Sequence, residues 1–121
     1  MQRQILDPAH LHPAIRAKVA QNQADIVDEV RAAIGANPVV LVGMRQNPVV
    51  RKARKLLESM GVRYAYLEYG SYLSGWRRRN ALKMWTGWPT IPMGFVKGVL
   101  VGGADDLEKL IESGELARLL A

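Results

Sequence analysis

The feature that most constrains this chain is a short one. Val39-Val40-Leu41-Val42 is its longest unbroken apolar run, four residues set between Asn37-Pro38 and Asn47-Pro48. A run with no polar alternation reads as a strand buried on both faces, as a central parallel strand is. Helical spacing follows it. Asn47 is a good N-cap, and Pro48 suits the first helical position. Val50, Ala53, Leu57 and Met60 then make an inner stripe, with Arg51, Lys52, Arg54, Lys55 and Glu58 off it. Gly61 closes that helix. Val62 to Leu67 reads as a second strand with Tyr64 and Tyr66 on one face. Strand, helix and strand with short joints predict a parallel β-α-β unit, and so an α/β fold.

The flanks are organised around that unit. Asp7-Pro8 and His12-Pro13 punctuate a turn-rich arm. From Ala14 to Ile34, the residues Ile15, Val19, Ile26, Val30 and Ile34 keep helical spacing, with Val27 beside them. This is one helix, or two broken near Gln21-Asn22-Gln23, with Gly35 as its C-terminal cap. The apolar stripe is expected to pack on the domain or on a second copy, since left in water it would be an exposed patch. On the other side, Gly70 to Gly75 reads as a loop and Trp76 to Trp85 as a helix carrying Arg77-Arg78-Arg79. Ile91 to Val96 and Val99 to Val101, joined by Lys97-Gly98, predict a hairpin. Asp105 or Asp106 then starts a helix with Leu107, Leu110 and Ile111 inward, and Glu115 to Leu120 adds a last turn or two.

Composition bears on chemistry more than on fold. The chain has no cysteine. It therefore has no disulfide, no cysteine nucleophile, no thiolate metal ligand and no thiol redox chemistry of its own. Its net charge is +6, but residues 39–83 alone carry ten basic and two acidic side chains. Such a basic middle concentrates anions near one part of the surface. No run approaches the roughly 20 apolar residues that a membrane span needs. No apolar stretch near the start reads as an export signal, so a cytoplasmic location is expected.

The later motifs, taken in order, are more specific. They are Trp88-Pro89-Thr90-Ile91-Pro92, Phe95-Val96-Lys97-Gly98, Val101-Gly102-Gly103-Ala104-Asp105-Asp106 and Glu112-Ser113-Gly114-Glu115-Leu116. Together they resemble the second half of a glutaredoxin. The Trp-Pro-Thr form and the Glu-Ser-Gly-Glu-Leu end are most similar to the monothiol branch. The resemblance covers roughly residues 37–120 and implies a thioredoxin-like mixed four-stranded sheet flanked by helices. It divides the chain into a glutaredoxin-like domain at 37–121 and an N-terminal arm and helical extension at 1–36, which resembles nothing recognised.

The resemblance also says where the chemistry would sit, and there the sequence departs from it. Asn47 occupies the position of the family's nucleophilic Cys, in the tetrad Asn47-Pro48-Val49-Val50. Met44 stands where the family has a Lys, with Arg45 next to it able to supply a similar charge. Asn47 is either a helix cap or a remodelled ligand contact. Thr90, Ile91 and Pro92 resemble the segment that pairs with the glutathione cysteine, and the match implies a cis Ile91–Pro92 bond. Gly103, Ala104 and Asp105 match the turn that holds the γ-glutamyl end. Arg79 matches a basic residue facing the glycine carboxylate. The resemblance thus implies a glutathione-type groove of Arg45, Asn47, Arg79, Thr90, Ile91, Pro92, Gly103, Ala104 and Asp105. Its ligand would be glutathione, held non-covalently, or a small carboxylate, in a binding or regulatory role.

Two activities of the family depend on the missing thiolate. Reduction of a glutathione disulfide needs it as attacking nucleophile. A shared [2Fe–2S] cluster needs it as ligand, and no Fe–S cluster is expected here. The alternative reading is a basic adaptor that binds nucleic acid or an acidic protein partner. Trp76, Trp85 and Trp88 beside the arginines can stack on bases, although no recognised nucleic-acid motif accompanies them. Asp7, His10 and His12 lack the further ligand run that a metal site would need.

Overall fold

The computed structural model describes residues 2–121. Met1, the first residue of the expected arm, lies outside them. A short 3-10 turn at Pro8–His10 precedes α1 (Pro13–Gln21), α2 (Ala24–Ala36), β1 (Val39–Gly43), α3 (Pro48–Ser59) and β2 (Ala65–Glu68). Then come α4 (Trp76–Thr86), β3 (Met93–Val96), β4 (Val99–Gly102), α5 (Ala104–Glu112) and α6 (Glu115–Leu120). The four strands form one sheet in the order β2-β1-β3-β4. β1 runs parallel to β2 and antiparallel to β3, and β3 and β4 form the hairpin. This is the thioredoxin-like mixed sheet expected from the sequence.

All five residues of β1 are buried. Its alternate side chains go to opposite faces, as the pleat requires. Val40 and Val42 join Ile26 and Val30 of α2, Ala81 and Leu82 of α4, and Met93 and Phe95 of β3 in one core. Val39 and Leu41 join Ala53 and Leu57 of α3, Ala104 and Leu107 of α5, and Leu116 of α6 in the other. Two helices therefore cover one face of the sheet and three the other. Tyr64 and Tyr66 both pack against the second core, on one face as their spacing predicts.

Several boundaries differ from expectation, each for a local reason. The expected N-terminal helix is two, broken at the expected place, with Gln23 in the left-handed region at φ 52°. Gly35 is not its cap. The helix runs on to Ala36, and Asn37 is extended, because the residue before a proline is pushed out of the helical region. The Asn37 side chain instead returns to the Ala33 carbonyl at 3.0 Å. Neither Asp105 nor Asp106 caps α5. That helix starts one residue earlier, with Gly103 as N-cap, and the Asp106 carboxylate accepts from the Gly103 N–H at 3.0 Å. β2 begins at Ala65 rather than Val62, since the ladder starts with Val40 opposite Ala65. β3 begins at Met93, just after a cis Ile91–Pro92 bond. Proline has no N–H to give the ladder.

The stripe of the helical extension splits in two. Ile26 and Val30 are fully buried and Ile34 is partly so, whereas Ile15 and Val19 on α1 stay about half exposed. A truncation of a fully buried Ile to Ala removes packing on all sides. Ile26→Ala should therefore cost about 2–5 kcal/mol in urea denaturation, and Ile15→Ala should change stability by less than about 0.5 kcal/mol. Equal effects would show that α2 is no more integral to the core than α1.

Candidate functional site

The register of the sheet determines what lies at its working end. Val42 is opposite Met93, and Gly94 is opposite Gly102. The chain just after β1, just before β3 and just after β4 is thus brought to one edge. These segments hold Asn47 at the start of α3, Thr90-Ile91-Pro92, and Gly103-Ala104-Asp105 at the start of α5. Seven of the nine residues singled out from the sequence, Asn47 among them, therefore share one end of the sheet, leaving Arg45 and Arg79.

Asn47 is buried, and its carboxamide oxygen accepts from the backbone N–H groups of Val49 at 2.8 Å and Val50 at 3.0 Å. It is an N-cap in full. At the facing helix, the first-turn amides of α5 have no intrahelical partner. Asp106 takes the Gly103 N–H, leaving the amides of Ala104 and Asp105 beside it. The Asp105 carboxylate is exposed and pairs with Lys52 at 3.1 Å, and Lys52 also meets Glu108 at 3.1 Å. These contacts, Asp105 first, raise the Lys52 pKa. Lys52 thereby clips α3 to α5 along the rim. Nothing in the sequence joins residues 52 and 105, so this contact was not legible.

Gly103 lies close to the segment that precedes β3. A side-chain carbon there would sit 3.6 Å from the Pro92 carbonyl oxygen and 4.0 Å from Trp88 Nε1. The Trp88 indole N–H is buried with no hydrogen-bond partner among the described residues, which is uncommon for so strong a donor. Thr90 is exposed and Ile91 half-buried, while Pro92 and Ala104 are buried.

Arg45, between β1 and α3, and Arg79, on α4, both bond to the neighbouring 69–75 loop. The Arg45 side chain is exposed, and its backbone N–H donates to the Gly70 carbonyl at 2.8 Å. Met44, where the Lys was missing, is a core residue. Arg79 is only 7% exposed. Its Nη1 donates to the carbonyls of Tyr69 at 2.9 Å and Ser74 at 2.6 Å, so it braces the 69–75 loop. Arg78 bridges to Asp25 at 3.5 Å and Glu29 at 3.8 Å on α2 and lies over the Tyr69 ring. Of the three consecutive arginines, only Arg77 is fully at the surface. They do not form one basic surface.

Tyr69 is the hinge of this arrangement. Its hydroxyl donates to Glu29 Oε1 at 2.7 Å. Burial first, and the Glu29 carboxylate second, raise its pKa. Burial also raises that of Tyr66 to about 12, helped by Glu68, which accepts the Tyr66 hydroxyl at 3.0 Å. At the other end of the chain, the Asp7 carboxylate and His12 Nδ1 accept from the backbone N–H groups of Ala9 and Ala14. They serve as caps.

Comparison with known proteins assigns this arrangement. No family model matches the chain. A glutaredoxin-like protein of Dictyostelium discoideum is 50% identical over 93 residues, covering 77% of this chain and 76% of that protein. This chain belongs to the glutaredoxin family. The chloroplastic bifunctional monothiol glutaredoxin-S16 of Arabidopsis thaliana is 45% identical over 65 residues, 54% of this chain and 22% of that protein. That relative supports the monothiol likeness in part. Among solved structures, a buckwheat glutaredoxin–glutathione complex superposes with a TM-score of 0.74 and 25% identity, covering 83% of this chain and 91% of that one. Solved glutaredoxins of wheat and poplar share the fold of this chain, with TM-scores of 0.69 and 0.70, and the chain itself has no cysteine.

Two outcomes follow from the geometry. Removing the cap leaves two backbone donors of α3 without their acceptor. Asn47→Ala should therefore lower stability by about 0.5–2 kcal/mol, and Asn47→Ser, which keeps a cap, should recover most of it. Thermal melts of both variants would show this. The raised tyrosine pKa values act at alkaline pH. The folded state holds protons that the unfolded state releases above about pH 10, so this stability is present below pH 10 and is lost as pH rises toward 12. Urea midpoints should fall across that window, and less steeply for Tyr69→Phe.

Proposed function

We propose that this chain is a glutaredoxin-family protein that binds glutathione, or a small carboxylate like it, without covalent chemistry and in a regulatory role. The observation that carries this reading is the convergence of three groups at Gly103. It joins an unpartnered Trp88 N–H, the Pro92 carbonyl and the open end of α5, where the positive end of the helix dipole favours an anion. The glutathione in the buckwheat complex supports the same ligand class.

Thiol chemistry does not go with the residues present. Asn47 is no nucleophile toward a disulfide sulfur, and its oxygen is already held by two amides. The same donor set does not suit a shared iron–sulfur cluster, which prefers thiolate. The ligand would be bound through its charged ends alone. Each charge-assisted hydrogen bond contributes roughly 1.5–3 kcal/mol, and association costs about 4–15 kcal/mol. The balance favours a dissociation constant near or above about 1 mM. The basic-adaptor alternative has less to rest on, because Arg78 and Arg79 are engaged inside the protein.

Titration of isotope-labelled protein with reduced glutathione tests the proposal. The amides of Ile91, Met93, Gly103, Ala104 and Asp105 should shift. Gly103→Ala should weaken the response without unfolding, since the new methyl meets only ordinary contacts at 3.6 Å and beyond. Shifts confined to residues 51–55 and 76–80 would reject the groove and favour the adaptor reading. Glutathione-coupled disulfide reduction by the clean protein would reject the non-catalytic role.

A further inference from the structure

The loop between β2 and α4 is built in a way that neither the fold nor the groove accounts for. Its tip presents Tyr72 at 65% exposure and Leu73 at 97%, with Trp76 at 57% just behind. This tip is held from several sides. Ser71 and Ser74 exchange backbone hydrogen bonds at 3.1 and 3.3 Å, and the Leu73 N–H donates to the Ser71 hydroxyl at 3.2 Å. Gly70 and Gly75, at φ 70° and 75°, close the base, where a side chain on Gly70 would collide with the Ser74 carbonyl. Beneath them, the buried Arg79 guanidinium grips the carbonyls of Tyr69 and Ser74.

A fixed loop carrying Tyr, Leu and Trp has already met the ordering cost that binding would otherwise impose. Tyr, Trp and Arg are also the residue types that dominate binding hot spots. The surroundings select the partner by charge. Arg77 lies over the Trp76 ring at 5.3 Å, and Arg45 sits at the loop base through its bond to Gly70. Glu68, the nearby acid, is occupied with the Tyr66 hydroxyl. We propose that the Tyr72–Leu73 tip, with Trp76, Arg77 and Arg45 around it, is a docking knob for a protein partner. That partner presents an apolar pocket with an acidic rim. The proposal goes beyond the ligand groove and does not depend on it.

Photo-crosslinking tests it in the full-length protein inside its host cell. A benzophenone amino acid at Leu73 should yield a discrete protein adduct that the same probe at exposed Val99 on β4 does not. The crosslinked peptide should carry apolar residues together with Asp or Glu. With that partner purified, Leu73→Ser, which removes the apolar tip, and Arg77→Glu, which reverses its charge, should each weaken binding roughly thirtyfold or more. Leu73 touches little of its own chain, so Leu73→Ser should leave the melting temperature unchanged, and loss of binding cannot be put down to unfolding. Four results would overturn the proposal: no adduct, or the same adducts as from Val99; adducts only to a second copy of the chain; adducts to nucleic acid; or Leu73-dependent sedimentation with phosphatidylcholine–phosphatidylserine vesicles in place of a protein partner.

Discussion

Everything in this protein hangs from the burial of β1. Its residues Val39 to Val42 divide between the two cores, so each helix layer packs against the same five-residue strand. Because β1 also pairs on both edges, with β2 and with β3, its end defines where the loops after it converge. The start of α3, the segment before β3 and the start of α5 are neighbours because β3 pairs with β1 on one edge and with β4 on the other. The candidate site is a consequence of one strand being central.

That strand was also the most legible part of the sequence. An apolar run without alternation has few other places to go, and the proline signals around it marked the neighbouring helices. The position of Asn47 could be read because helix capping is local: oxygen, turn and amides lie within three residues. What could not be read were contacts between distant elements. Lys52 to Asp105, Arg78 to Asp25 and Glu29, and Tyr69 to Glu29 leave no trace in any local pattern. The arginine run shows the difficulty well. Three identical neighbours on one helix turn to solvent, to a second helix and to the interior, and helical phase alone does not say which partner each one meets. The α1 half of the apolar stripe failed for a related reason. The break at Gln23 changes the direction of the chain, so spacing continues across it while the face does not.

Asn47, at the position that the family resemblance gives to a thiol, serves the architecture and brings no thiol chemistry. A carboxamide in this place accepts two amide protons and seals the helix. In doing so it withdraws the group from solvent-side reactivity. What the neighbourhood keeps is its set of donors: the amides at the head of α5, and the indole N–H of Trp88.

The central position of β1 has a further consequence for how the chain reaches its fold. The β3–β4 hairpin closes over two residues, whereas β1 needs Ala65 on one side and Phe95 on the other before it is covered. Local pairings form first, and distant ones wait for the loops between them to close. During synthesis, then, the most apolar strand of the protein emerges early and is protected last. An unpaired strand of this kind is a template for joining another chain. This segment therefore stays open to such pairing until the strands that cover it have been made.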